Sequence, residues 1–207
     1  MALSDAVHKT EAIIADTDLP AGLTTVIAGD YEDQQDMFRD MIVLLILIIV
    51  LVYIVMAAQF ESFLSPFVIM FSIPFALVGV AIGMLVTGKA IGVMGLIGVI
   101  ILMGIVVKNG IVLIDYTILL RERGYGAVEA SAIAARSRLR PILMTTLTTV
   151  LGMLPMAIGL GEGSEMWKGL GTVVCWGLSI STLVTLILIP TIYCVFAVRQ
   201  ERRKQKA

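Results

Sequence analysis

The residue best placed to do chemistry is Lys108, which lies deep in a long apolar run between Gly104-Ile-Val-Val and Asn109-Gly-Ile-Val-Leu. An ammonium group in hydrocarbon is costly unless it is paired or wetted. Snorkelling to the membrane surface relieves that cost near a helix end, but poorly at this depth. Ionisable side chains inside membrane segments usually belong to ion or proton pathways. Lys108 is therefore a candidate functional residue.

Lys108 needs a negative partner, and the chain offers none at the same depth. Asp115 lies on roughly the same helix face but about 10 Å further along the axis, too far for a direct bond. A carboxylate wetted by headgroups at the membrane edge is its simpler interpretation. The other apolar runs contain no carboxylate at mid-depth. A segment outside these 207 residues is expected to supply one or more Asp or Glu.

A later apolar run combines hydroxyls with arginines at its start. The hydroxyls are Thr145, Thr146, Thr148 and Thr149. Such side chains often bond to carbonyls of their own helix, but they could also relay a proton through water. Arg138 and Arg140 precede Pro141, and topology anchoring is their simplest role.

Other chemistries lack their motifs. His8 is the single histidine, and neither HExxH nor CxxC occurs, so we expect no metal and no cofactor. Cys175 and Cys194 lie roughly 28 Å apart on one helix and cannot pair. The glycine-rich segment 159–163 lacks the GK[ST] ending of a phosphate loop. With no GxSxG motif either, we expect no enzyme and no nucleic-acid partner.

The elements that position these residues are membrane helices. Of the chain, 58% is hydrophobic and only 15% charged, against about a quarter charged in soluble domains. Five apolar runs are long enough to cross a bilayer as helices, and they lack the alternation of barrel strands. The predicted spans are about 38–58, 63–87, 91–120, 141–160 and 170–198.

Basic residues predict the orientation. They follow the third and fifth spans, as Arg121, Arg123, Arg136, Arg138 and Arg140, and then Arg199, Arg202, Arg203, Lys204 and Lys206. Two spans separate these groups, so both are expected in the cytoplasm. The predicted fold class is an all-α polytopic membrane protein with five transmembrane helices, a periplasmic N-terminus, and a basic cytoplasmic tail, 199–207.

Residues 1–37 are mixed and acidic, with an amphipathic stretch at 6–15 and a β-type run at 23–28. They are too short to bury a core by themselves. We expect them to be the end of a folded exported domain whose other parts lie upstream.

Small residues predict close helix packing. Gly79 and Gly83 have GxxxG spacing, and Gly92, Gly95 and Gly98 recur every three residues. Such faces let helices approach closely in lipid. A sliding hinge is the alternative role.

Four segments in correct order resemble the resistance–nodulation–division (RND) transporters, in their acriflavine-resistance, hydrophobe/amphiphile efflux branch. The segment from Gly104 to Tyr116, with Lys108-Asn109, looks like the tenth transmembrane helix, and Arg138-Leu-Arg-Pro-Ile-Leu-Met-Thr145-Thr resembles the start of the eleventh. Gln59-Phe-Glu-Ser62 is similar to the corner between helices eight and nine. Leu19-Pro-Ala-Gly22 resembles the end of the last periplasmic porter subdomain.

The resemblance implies the C-terminal fragment, helices eight to twelve, of a proton-driven antiporter in the bacterial inner membrane. Lys108 would pair with two aspartates of the missing fourth helix, and Asn109, Arg138 and Thr145 would belong to the same proton relay. The family works as a homotrimer coupled to a periplasmic adaptor and an outer-membrane channel. The drug-binding positions of the family lie outside this chain.

Three alternatives stay open from the sequence. One is an RND relative that moves lipid, metal or protein, although the Lys108-Asn109 pair favours the efflux branch. Another is a membrane scaffold or partner subunit that finds its carboxylate on another polypeptide. The last is a non-transporting gene remnant.

Overall fold

The computed structural model describes residues 9–10, 12–14, 16, 30–88, 91–161 and 163–204. Described residues outside the loops are helical, and no strand occurs among them. The long elements are α1 (Asp30–Phe60), α2 (Leu64–Met70), α3 (Ser72–Thr87), α4 (Val93–Glu122), α5 (Ala127–Ile158) and α6 (Lys168–Lys204), with a 3₁₀ turn at Ser164–Met166. The segment 19–22, which carries part of the resemblance, and the predicted β-type run at 23–28 lie outside the described residues, as does His8.

Five helical segments are long and apolar enough to cross a membrane, which confirms the predicted fold class of five transmembrane helices. They are Gln35–Phe60, Leu64–Thr87, Val93–Glu122, Ala127–Ile158 and Lys168–Arg199. A helix is the form in which an apolar segment satisfies all its backbone polar groups internally, so these runs have few alternatives in lipid.

The second span is interrupted near a proline. α2 ends at Met70 and α3 begins at Ser72. Pro74 has no N–H to donate, and its ring clashes with the carbonyl four residues earlier, which belongs to Met70. The Ser72 hydroxyl donates to the Ile69 carbonyl at 2.7 Å, next to the break. α3 then ends at Thr87 and is capped by Gly88, whose φ of 64° is the left-handed conformation that glycine adopts easily.

The fourth membrane span is α5. It begins at Ala127, well ahead of Pro141, where the apolar run starts. Residues 127–135 are rich in alanine, the best helix former, so the helix forms before the chain becomes apolar. The arginines expected in a loop, Arg136 to Arg140, therefore lie on α5 itself. Only the short turn around Gly124, with φ of 94°, separates α4 from α5.

The packed unit of the chain runs from Leu45 to Ala207. Within it α6 is central and contacts α3, α4 and α5. Leu102, Leu113, Ile114, Leu178 and Ile189 are fully buried in its core. The last half of α1 contributes Met56, but its apolar residues are mostly exposed, which suits contact with lipid or with further helices.

Candidate functional site

Lys108 lies on the exposed side of α4. Gly104, Lys108, Asp115 and Leu119 share this exposure, at spacings that place them on one helix face. The opposite face packs into the core through Val106, Leu113 and other residues. The lysine is therefore deep along a membrane helix but directed away from the interior of this bundle.

Lys108 has no ionic partner in the part of the chain that the structure describes: no carboxylate oxygen there lies within 4.0 Å of its Nζ. An ion pair does form elsewhere, between Lys168 at the start of α6 and Glu165 in the 3₁₀ turn before it. Asp115 shares the exposed face of Lys108 but does not pair with it. The need for an outside counter-ion stays a prediction, and the exposed face is where such a group would have to approach.

Asn109, next to Lys108, points the other way and is only 7% exposed. It lines a narrow crevice between α4, α5 and α6, together with Ile142, Ser181, Thr182 and Thr185. The crevice is too narrow for a water molecule. The hydroxyl of Thr185 is buried there and has no hydrogen-bond partner among the described residues. Asn109 is thus part of a dry polar layer inside the bundle.

Arg138 is held against α4 by an aromatic ring. Its guanidinium carbon lies 4.7 Å from the centre of the Tyr116 ring, a cation–π contact. Its Nε is buried without a hydrogen-bond partner in the described part of the chain. Tyr116 follows Asp115 directly in sequence. Tyr116 could not be identified from sequence as the contact of Arg138, because only the fold shows which aromatic ring faces this arginine.

The four threonines of α5 divide into two kinds. Thr145, Thr148 and Thr149 bond within their own helix, to the carbonyls of Ile142 at 3.0 Å, Met144 at 2.8 Å and Thr145 at 2.8 Å. Thr145 is exposed. Thr146 is buried, and its hydroxyl shares a hydrogen bond of 3.1 Å with Thr182 of α6. The interhelical hydroxyl contact is therefore made by Thr146, the neighbour of the predicted relay residue.

The predicted relay residues thus alternate between two environments. Lys108 and Thr145 lie on the exposed surface, and their sequence neighbours Asn109 and Thr146 lie inside. Asn109 and Ile142 line the same crevice, so these parts of α4 and α5 lie at a similar level in the bundle. The exposed pair therefore faces away from the bundle, whereas Asn109 lines the crevice with α6 residues and Thr146 bonds to Thr182 of α6.

Three of the predicted packing glycines lie against α6. A Cβ atom at Gly79 would lie 3.0 Å from Ile180 Cβ, one at Gly83 would lie 2.5 Å from Trp176 Cβ, and one at Gly98 would lie 3.1 Å from Val173 Cβ. At Gly95 the nearest atom is Ile91 Cγ2 at 3.2 Å, and at Gly92 nothing lies within 4 Å. The structure adds Gly110, Gly171 and Gly177 as positions of close approach.

The Thr146–Thr182 contact should contribute measurably to the packing of α5 on α6. We expect Thr146→Val and Thr182→Val to be coupled by about 0.6 kcal/mol, a typical value for hydroxyl bonds between membrane helices. A double-mutant cycle on the purified chain, unfolded reversibly in detergent, would measure it. The control cycle pairs Thr148→Val with Thr182→Val and should be additive, because Thr148 bonds only to its own helix. Equal coupling in both cycles would contradict the assignment.

The arrangement does not include a recognisable metal site. Among the residues that the structure describes, no three His, Cys, Asp or Glu side chains lie together. The site has two cations. Lys108 lies deep along a membrane helix on its exposed face, and Arg138 contacts an aromatic ring. A layer of hydroxyl and amide groups lies inside the bundle.

The sequence has known relatives along its whole length. The profile of the AcrB/AcrD/AcrF family matches residues 1–197. The chain is 38% identical over 139 residues to the swarming motility protein SwrC of Bacillus subtilis, covering 67% of this chain and 13% of SwrC. It is 34% identical over 205 residues to the multidrug resistance protein MdtC of Proteus mirabilis, covering 99% of this chain and 20% of MdtC.

Solved structures agree with this relationship. A heavy metal efflux pump superposes with a TM-score of 0.80 and 28% identity in one crystal form, over 93% of this chain and 19% of the pump. A second crystal form gives a TM-score of 0.74 and 29% identity over 92% of this chain. The chain spans a fifth or less of the length of these relatives. By its profile match and its membrane helices, this chain belongs to the AcrB/AcrD/AcrF family of resistance–nodulation–division transporters.

Proposed function

We propose that this chain is the C-terminal transmembrane part of a proton-driven efflux transporter that exports hydrophobic or amphiphilic compounds. The observation that supports it most is the position of Lys108. This cation lies deep along a membrane helix, faces out of the bundle, and has no carboxylate partner among the described residues. Family membership makes a transporter the appropriate context. A fixed cation that must recruit a carboxylate is a suitable partner for a group that binds and releases a proton.

The proposed mechanism is a change of charge at the exposed face of α4. When an incoming carboxylate is ionised, it attracts Lys108, and when it binds a proton the attraction is lost. Arg138 and Thr145 would hold the carboxylate and relay its proton. Because Asn109 lies in the dry interior layer, a movement of α4 would change its packing against α6. Such a local change of charge can shift the equilibrium between two arrangements of the bundle. That shift can change the conformation of a distant substrate domain.

We assign the segments of this chain and its partners as follows. Residues 1–37 end a periplasmic porter domain, residues 38–198 are the helix bundle, and the basic tail lies in the cytoplasm. The carboxylates come from helices of the same longer protein, which would act as a homotrimer with a periplasmic adaptor and an outer-membrane channel. The basic residues at the end of α4, in the first half of α5 and in the tail support this orientation in the inner membrane.

A metal substrate is the second candidate, because the superposed structures are of a heavy metal efflux pump. The Lys108-Asn109 pair favours the amphiphile branch. A scaffold, a partner subunit or a gene remnant would instead have no transport activity at all.

Transport in proteoliposomes tests the function. The cellular product would be captured through its tail and reconstituted with an imposed pH gradient, and ethidium and Zn²⁺ would be offered separately. We expect ethidium movement that stops when nigericin collapses the gradient. Zn²⁺ movement without ethidium movement would favour the metal alternative. Ethidium movement that is unaffected by nigericin would contradict proton coupling.

The size of the cellular product tests whether the chain works as part of a longer protein. An antibody against residues 199–207 would be used to blot the membranes of the source cell. We expect a band several times larger than 22.3 kDa. A single band near 22 kDa would contradict the intact-pump interpretation and leave a partner subunit or a remnant.

A further inference from the structure

A cavity of about 690 Å³ opens where α4 and α6 end, beside the corner that joins α1 to α2. Its walls combine the aromatic rings of Phe60 and Phe196 with the polar groups of Ser62, Tyr193, Arg121 and Arg199. The volume falls within the range of about 300–1,000 Å³ typical of small-molecule sites. None of the residues of the candidate proton relay lines it, so the cavity is a separate feature of the bundle.

The polar wall is built to receive an anion. Arg121, in the last turn of α4, is half-buried, and its NH1 donates to the Tyr193 hydroxyl at 3.4 Å. Tyr193 is only 5% exposed, and its own O–H remains able to donate towards the cavity. Arg199 of α6 lines the same space. The described residues that line the cavity include these two arginines and no carboxylate.

The rim of the cavity is fixed by the corner between α1 and α2. Glu61 adopts a φ of 46°, the single positive φ of a non-glycine residue in the described ranges. The Tyr53 hydroxyl donates to the Phe63 carbonyl at 3.3 Å and ties the end of α1 to this corner. A left-handed non-glycine residue is costly and persists where the surrounding structure holds it. The corner therefore keeps Phe60 and Ser62 at the mouth of the cavity.

The position of the cavity limits the class of ligand. It lies at the ends of membrane helices, at the side where the basic residues concentrate, with apolar rings on one wall and guanidinium groups on another. A molecule that matches both walls has an anionic head and an apolar tail. Basic pockets between membrane helices are known to suit phosphate-bearing lipid headgroups.

We propose that this cavity binds one anionic phospholipid, with its phosphate between Arg121 and Arg199 and an acyl chain along Phe60 and Phe196. Guanidinium groups pair well with phosphate because their planar donors match two oxygens at once. The bound lipid would join α4, α6 and the α1–α2 corner at the membrane surface. This inference concerns a site apart from transport and does not depend on the proposed function.

Thermal unfolding of the purified chain in a mild detergent tests the proposal. Phosphatidylglycerol, phosphatidylcholine and inorganic phosphate would be titrated in separate series. We expect a saturable rise in Tm with phosphatidylglycerol alone. Arg199→Gln and Arg121→Gln should raise the half-saturating lipid concentration about tenfold, and Arg136→Gln, an exposed arginine of α5 outside the cavity, should leave it unchanged. Mass spectrometry of the purified protein should find one phospholipid per chain, retained in Arg136→Gln and lost in Arg199→Gln.

Three results would overturn the proposal. Equal protection by phosphatidylcholine would show that charge is not recognised. Equal protection by inorganic phosphate would show a site for a free anion and no role for the apolar wall. Equal behaviour of Arg199→Gln and Arg136→Gln would place any lipid elsewhere. Since Arg199 is exposed, its variant should fold even if Arg121→Gln does not.

Discussion

Ethidium efflux by the complete cellular product should fall about 100-fold or more when Lys108 is replaced by methionine. Methionine keeps the length of the side chain and removes the charge, so a proton-binding carboxylate would lose the cation that its ionisation state controls. Loss of a proton-transfer group commonly costs two to four orders of magnitude in rate. Lys108→Arg should also be strongly impaired, because a planar guanidinium does not replace a compact ammonium group. Efflux would be measured as ethidium accumulation in a host without its own pumps.

The matched control for this experiment is Lys168→Met. Lys168 is a second lysine of the bundle, but it is the first residue of α6 and pairs with the exposed Glu165. Its replacement should leave efflux within about twofold, since exposed ion pairs contribute little. Both variants would be quantified in the membrane with the tail antibody, so that loss of protein is not mistaken for loss of transport. If Lys108→Met exports ethidium as well as Lys168→Met does, Lys108 has no part in energy coupling.

The apolar runs predict the membrane helices well but not where those helices end. An apolar run indicates which residues contact lipid or the core. A helix can continue into polar residues beyond that run, so the run does not define its ends. α5 begins at Ala127, because the alanine-rich residues before the apolar run have a high helix propensity. The break at Phe71 follows from Pro74, but its position depends on the carbonyl four residues earlier, which only the backbone geometry shows.

The predicted site residues could be chosen from sequence, but their directions could not. Thr145 and Thr146 are adjacent, and α5 is apolar on most of its surface in the membrane, so no polar face indicates which of them points inward. The same is true of Lys108 and Asn109. The contact of Arg138 with Tyr116 joins two helices whose relative rotation is set by packing. These features depend on side chains far apart in sequence, for which periodicity along one helix carries no information.

Close packing of α3 on α6 leads to the second large effect. At Gly83 an added Cβ would lie 2.5 Å from Trp176 Cβ, 2.6 Å from Cγ and 2.9 Å from Cδ1. The Cβ atom of Trp176 is fixed to its backbone and cannot rotate away. Replacing Gly83 by alanine therefore requires the two helices to move apart.

We expect Gly83→Ala to lower the free energy of unfolding by about 2–3 kcal/mol, the upper part of the usual range for overpacking. The control is Gly152→Ala on α5, where nothing lies within 4 Å of the added atom. That variant should be neutral or up to about 1 kcal/mol more stable, because alanine is the better helix former. Reversible unfolding of the purified chain in detergent would compare the two. The opposite signs separate a steric clash from a general effect of adding a methyl group, since both substitutions make the same chemical change within a membrane helix. Equal stabilities would mean that α3 and α6 do not approach each other at Gly83 as closely as the structure shows.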